Sequence, residues 1–401
     1  MSKIKNHESL VGALGNIFEW YDFALFMPFL PILAKNFFPS NLEVSGFLTL
    51  AVGIFMRPLG ALVFGPIGDK WGRRKAISLS ILFMAIPTVC IGLLPTYDQI
   101  GVWASILLIL LRALQGISLG GEYTAAMVHL VEQAPQNRKG FYGSWSDAGS
   151  QIGVIMGGQA LIKLFDFFSE GDIYSYAWRI PFLLGIVLLP FAFLIPSNFE
   201  SSKKESNWNT WSIIKQCKKE VMGTIAITAF SAVGFYTLLT FLPSYLVWNN
   251  VLSLEDATSC SVYATVIMTI SILFAGFLSD YFSKKYFIII GVIGVTISTY
   301  FIFFTEQNSF YNLMLLQLCY GFFIGVYYSC RAAFFSETFP PHVRCTAISL
   351  SFSLAQAVFG GLTPVTMNYV TKISNVISVL PITVVSVGAI IAVIILQKNK
   401  K

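Results

Sequence analysis

Apolar residues run along this chain in blocks of about twenty, one after another from Val11 to Leu396, with little polar sequence between them. That is the length an α-helix needs to cross a bilayer, roughly 20 residues. The blocks and their interruptions predict twelve helices, starting near residues 9, 44, 76, 101, 140, 179, 221, 257, 286, 309, 345 and 376. The longest polar stretch, SNFESSKKESNWNTWSIIKQCKKE, lies at mid-chain and divides six helices from six. It reads as a linker with a basic, surface-lying segment. The expected architecture is an all-α polytopic membrane protein. Its N-terminal six-helix half covers residues 1–197, a cytoplasmic linker covers 198–220, and a C-terminal six-helix half covers 221–401.

Composition agrees with this pattern and removes some alternatives. Of the 401 residues 55% are hydrophobic, 15% aromatic and only 11% charged, against roughly 25% charged in an ordinary soluble domain. The apolar run behind Lys3 and Lys5 is long, contains acids and shows no small-residue cleavage site, so it reads as a retained first helix and not a signal peptide. The six cysteines are scattered without paired spacing, which points away from a disulfide framework or metal site and toward buried thiols. The net charge of +6 needs no nucleic-acid partner, because basic residues collect in loops on one side. Nineteen of the 26 Lys and Arg fall at the termini, in the DKWGRRK loop, in the mid-chain linker and in other loops of the same side. This bias predicts both termini in the cytoplasm. There is no GxxxxGK loop for a nucleotide, so no catalytic residue and no cofactor is expected, and the chain is not read as an enzyme.

An internal repeat sharpens the picture. GPIGDKWGRRK, between helices 2 and 3, is answered by GFLSDYFSKKY between helices 8 and 9. Gly65 corresponds to Gly276, Asp69 to Asp280, and Arg73 with Arg74 to Lys284 with Lys285, all at an offset of 211. After helix 4, VEQAPQNRKG matches SETFPPHVRCT after helix 10, aligning Glu132 with Glu337. Two related six-helix halves in parallel are typical of transporters whose halves rock about a site near the midplane.

These segments resemble the major facilitator superfamily and, within it, the metabolite:proton symporter family. GPIGDKWGRRK and RALQG (Arg112 to Gly116) are similar to superfamily motifs; NIFEWYDFALF, FMRPLGALVFG, RALQGISLGGEY and AWRIPFLL are similar to those of the symporter family. The resemblance implies import of a small organic solute with protons by a monomeric, multi-pass protein of the bacterial inner membrane. Relatives carry proline and betaine, shikimate, 2-oxoglutarate or citrate. It also implies that Gly65, Asp69, Arg73, Arg74, Asp280, Glu132 and Glu337 belong to a gate. An acid at one helix end there can bond backbone amides of a neighbouring helix N-terminus, or pair with arginine.

Charge inside the apolar blocks marks candidate function, since each such residue costs about 2.5–3.5 kcal/mol or more at the bilayer centre. Helix 1 carries Glu19 and Asp22, helix 2 Arg57, helix 4 Arg112 and Glu122, helix 5 Asp147 and helix 10 Arg331. Arg112, Gln115, Leu119 and Glu122 recur at helical spacing on one face. Arg112 and Glu122 are about 15 Å apart along the axis, too far to pair. By resemblance, helices 1 and 4 flank the cavity, which makes the acids of helix 1 the expected partners of Arg112. A carboxylate whose proton affinity changes as an arginine approaches can couple transport to protons. Trp20, Tyr21, Tyr236 and Tyr327 are candidates for an aromatic lining able to hold an ammonium group. Gly149, Gly153 and Gly157 form a small-residue stripe on helix 5 that permits close packing. The nearly balanced membrane charge favours a zwitterion such as proline or betaine. The alternatives are an organic acid anion held by convergent arginines and a nutrient receptor that does not transport.

Overall fold

The computed structural model describes residues 17, 20–38, 42–60, 63–64, 73–120, 122–188, 216–304, 310–341 and 343–398. Glu19, Gly65, Asp69 and most of the linker therefore lie outside the described residues, as do the side chains of Arg73, Arg74 and Glu122. The described residues contain no strand. In chain order the helices are α1 (20–37), α2 (42–60), α3 (Arg73–Leu93), α4 (102–133), α5 (Lys139–Phe165), α6 (179–188), α7 (Lys218–Trp248), α8 (Leu254–Leu278), α9 (Lys284–Phe304), α10 (Phe310–Thr338), α11 (344–371) and α12 (Leu380–Lys398). From α2 onward each begins within a few residues of the position predicted from the apolar blocks. The C-terminal six include every helix among the described residues that is long and apolar enough to cross a membrane by itself. Those of the first half are shorter or carry more glycine and polar residues; α5, 27 residues long, is an example.

Several helices are broken, and the breaks repeat. α1 loses helical geometry at 26–29, and α7 passes through a π turn at Thr237–Phe241, 211 residues later (26 to 237). α4 breaks at Leu119 and Gly120, and α10 at Ser329 and Cys330, 210 residues later (119 to 329). The offset found in the loop motifs thus recurs in backbone irregularities, as expected for two copies of one six-helix unit. The α4 break at Leu119 and Gly120 falls between Gln115 and Glu122, whose side chain lies outside the described residues.

Large apolar side chains such as Ile270, Phe274, Leu315, Val384 and Ile391 point outward, while polar ones gather inside. Close packing rests on glycines. Gly153 of α5 lies against the Ile17 carbonyl and Trp20, and Gly157 against Ala24 and Leu25 of α1, so the stripe read from sequence is the α1–α5 contact. Between the halves, α5 runs along α8, with Gly158 on Val262 and Gly276 on Ser144. α2 meets α11, where a Cβ on Gly361 would stand 3.2 Å from Phe55 Cε2.

One end of the bundle is closed by charge. Asp280 accepts hydrogen bonds from the Gly140 and Phe141 amides at 2.7 and 3.2 Å, capping α5 of the other half where its free N–H groups and dipole favour an anion. Arg344 Nη1 reaches Glu132 at 2.7 Å, tying α11 to α4, and Lys284 meets Glu337 at 3.0 Å within the second half. Gly140 permits the cap, since a Cβ there would collide with Ser279 Oγ and stand 2.8 Å from Asp280 Oδ1. The substitution Gly140→Ala is expected to displace Asp280 and raise amide exchange of residues 140–143 several-fold, given about 0.5–2 kcal/mol for a cap. Hydrogen exchange read by mass spectrometry checks this. At the opposite end Phe47 of α2 packs on Phe241 and Trp248 of α7, with ring centroids 6.1 and 5.2 Å apart.

Candidate functional site

Between these two closures lies a polar chamber centred on α1. Consecutive residues of a helix turn by about 100°, so the motif W-Y-D-F sends its four side chains in different directions. Trp20 faces α7, with its ring 5.9 Å from Phe235. Tyr21 turns to α6 and donates to the Pro181 carbonyl at 3.3 Å. Asp22 lies beside Gly185 of α6 and within hydrogen-bonding reach of Thr88 on α3. Phe23 points to α2 and α4, where two guanidiniums share its ring, Arg57 at 5.0 Å and Arg112 at 4.8 Å. Arg57 also lies 5.6 Å from Trp20, and Arg112 4.1 Å from Phe26.

All three charged groups are withdrawn from solvent, with Asp22 2%, Arg57 4% and Arg112 0% exposed. The expected ion pair between Arg112 and an acid of α1 is not what joins Asp22 to it. Among the described residues neither Arg57 nor Arg112 forms an ion pair. A chain of neutral groups intervenes: Arg112 Nη1 donates to Gln115 Oε1 at 2.9 Å, and Gln115 Nε2 donates to Thr88 Oγ1 at 2.7 Å. The Thr88 hydroxyl has one proton, which it donates to the Met84 carbonyl at 2.9 Å, and Asp22 lies beside it. The donors run in one sense, from Arg112 through Gln115 to Thr88 and on to the α3 backbone, so the members of the chain polarise one another. Sequence reading missed Thr88. Its signal was a Pro-Thr pair in mid-helix, where Pro87 removes a backbone N–H.

Arg57 Nε and Nη2 and Arg112 Nε and Nη2 are buried with no acceptor. Ring faces return about 0.5–2 kcal/mol each, less than the several kcal/mol that a buried ion costs, and two like charges on one ring repel. Planar guanidiniums of this kind can hold an anion through paired hydrogen bonds. A narrow cleft beside Arg57 is lined by Trp20, Arg57, Leu119, Gly120, Thr124, Phe352 and Ser353. Tyr236 of α7 is fully enclosed near both arginines, with its hydroxyl unpartnered.

The remaining predicted residues fall elsewhere. Tyr327 donates to the Ile227 carbonyl at 2.6 Å and meets the Phe230 ring edge-on at 4.8 Å, both within the second half. Asp147 and Arg331 form an ion pair of their own, at 2.5 Å and with each side chain 1% exposed, joining α5 to α10 across the two halves. Arg331 also donates to Ser231 Oγ at 3.3 Å and lies over Tyr328 at 4.3 Å. This pair stands one to two helical turns inside the end closed by Asp280, apart from the Asp22 and Arg112 chamber.

A charged chamber enclosed midway along a two-fold repeated helical bundle is the architecture of a multi-pass membrane carrier. The model of the Major Facilitator Superfamily matches residues 12–269 and 251–400, and the chain belongs to that superfamily. It is 35% identical over 379 residues to a protein of Staphylococcus aureus (strain COL) described as a proline/betaine transporter, covering 90% of this chain and 81% of that one. It is 32% identical over 390 residues to the proline/betaine transporter of Escherichia coli (strain K12), covering 88% and 75%. Among solved structures, a D-xylose-proton symporter superposes with a TM-score of 0.77 at 17% identity over 97% of this chain and 96% of that one. The partially occluded inward-open xylose transporter XylE from E. coli gives a TM-score of 0.74 at 18% identity over 98% and 96%. These two likenesses concern the fold.

Proposed function

We propose that the chain imports a small zwitterionic solute of the proline or betaine kind together with protons, by alternating access. The two relatives described as proline/betaine transporters support the solute class, and the xylose symporters that share the fold support proton drive. The observation that carries the reading is the buried Nε and Nη2 groups of Arg57 and Arg112 that have no acceptor, with Arg57 set against the ring of Trp20. The arginines meet the solute carboxylate, and the aromatic face meets its cationic nitrogen. Asp22 carries the proton and senses the solute through Thr88 and Gln115, since a carboxylate that pulls Arg112 away breaks the chain at its donor end. Asp280, Glu132 and the Asp147–Arg331 pair hold the cytoplasmic side shut and must part for the solute to be released. In this reading the protein works as a monomer in the lipid of the bacterial inner membrane, with both termini cytoplasmic and no nucleic-acid partner. The halves are residues 1–197 and 221–401, joined by the linker 198–220.

Two convergent arginines also suit a solute with two carboxylates, so an organic acid anion is the second reading. Proteoliposomes under an imposed pH gradient, offered labelled proline, betaine, 2-oxoglutarate, citrate and shikimate, separate the two. Accumulation of proline or betaine is expected. Accumulation of a dicarboxylate alone favours the second reading, and a folded protein that accumulates none removes both and favours a receptor.

A further inference from the structure

A zwitterion has two ends, and Arg57 and Arg112 can serve only the anionic one, because guanidiniums donate and never accept. Among the described residues, the carboxylate beside the arginines is Asp22, and it does not face the other end. Residues two apart on a helix lie about 200° round its axis, and Asp22 accordingly faces α3 and α6 while Trp20 faces α7. Among the described residues, Thr124 of α4 lines the cleft on the Trp20 side, and the second half brings an amide acceptor to it. Phe352 and Ser353 of α11 line the cleft with Trp20 and Arg57. Gln356 follows them by four and three residues, one turn along the same face. Its Oε1 is buried without a donor, and the residue is 5% exposed. Gly360, one turn further, makes room for it beside Tyr236: a Cβ at Gly360 would stand 2.9 Å from Gln356 Oε1 and 2.7 Å from Tyr236 Cε2. Gln356 also opens the π turn Gln356–Gly360, a distortion that recurs at functional sites. A buried amide oxygen without a donor calls for an explanation, and a bound donor supplies one.

Resting on the zwitterion reading above, we propose that Gln356 Oε1 accepts a hydrogen bond from the solute's ammonium N–H. The site then discriminates in favour of a solute that carries N–H groups, such as proline, over a fully N-methylated one, such as betaine. Betaine has no hydrogen to give and is held at that end by ring faces alone.

The test is uptake of labelled proline and labelled betaine by wild type, Gln356→Leu and Gln356→Glu in proteoliposomes. Leucine keeps the volume and removes the acceptor, which raises the KM for proline about tenfold or more, as for a hydrogen bond to a charged group. Betaine uptake changes by less than about twofold and serves as the folding control, since its only contact there is with rings. Gln356→Glu keeps an acceptor and retains the preference for proline. Equal losses of both solutes in a folded Gln356→Leu protein, or an unchanged proline KM, overturn the role of Gln356 and leave the zwitterion reading standing. If Gln356→Leu does not reach the membrane, Gln356→Glu decides: a proline-to-betaine preference below that of wild type overturns the role. Should wild type carry an organic acid and neither zwitterion, the zwitterion reading itself fails and this assignment with it.

Discussion

Replacing Arg331 by alanine is expected to destabilise the protein by about 3–5 kcal/mol, the loss typical when one partner of a buried ion pair is removed. Asp147 and Arg331 are each 1% exposed, so water cannot take over the role of the missing guanidinium. The substitution leaves Asp147 charged in the contact between α5 and α10, with the Tyr328 ring and Ser231 Oγ losing their partner as well. Thermal unfolding of the purified protein in detergent measures the effect. The double variant Asp147→Asn with Arg331→Met should recover much of the loss, because replacing both partners by neutral groups of similar size avoids the uncompensated charge. A drop of under about 1 kcal/mol in the single variant would show that the pair is solvated, as exposed ion pairs are. The double variant also tests the proposed closing function. With no pair to break, the end sealed by Asp280 opens more readily, and cysteine probes placed near Ser231 should react faster than in wild type.

Replacing Asp22 by asparagine is expected to abolish proton-driven accumulation while solute exchange continues. Asparagine fills the same space beside Gly185 and Thr88 but cannot take up or release a proton. With one proton moving per solute, a gradient of one pH unit sustains an accumulation of about tenfold, equivalent to about 1.4 kcal/mol. The variant should equilibrate near a ratio of one. Counterflow of labelled against unlabelled solute, which needs no proton gradient, should remain within a few-fold of wild type. Unchanged accumulation would show that Asp22 is not the coupling group. Loss of counterflow together with accumulation would make it a part of the solute site.

Much of this protein is legible in its sequence because a bilayer imposes length and polarity rules that act locally. The blocks of about twenty apolar residues located the helices, since a spanning segment must satisfy all its backbone groups internally and has few other ways to do so. The repeat in the loops singles out Asp280, which caps α5, and the glycines Gly153 and Gly157 of α5 mark a close helix contact, which is with α1. The membrane charges were equally visible, because each needs a reason to be there.

Partnership was not legible. Asp22 and Arg112 looked like an ion pair, yet the turn of α1 sends Asp22 toward α6 and α3, and Gln115 with Thr88 fills the space between them. Asp147 and Arg331 stand 184 residues apart on different halves; neither sequence neighbourhood names the other, and only the docking of α5 against α10 makes them a pair. Nothing in the sequence marks Gln356; the fold puts it beside Tyr236 and one turn from the residues of α11 that line the cleft. The sequence by itself determined which residues must be protected from lipid, because burial cost is a property of each side chain. Only the tertiary structure decided what each one meets, because that depends on helix rotation and on breaks such as the one at Leu119 and Gly120, which no local rule sets.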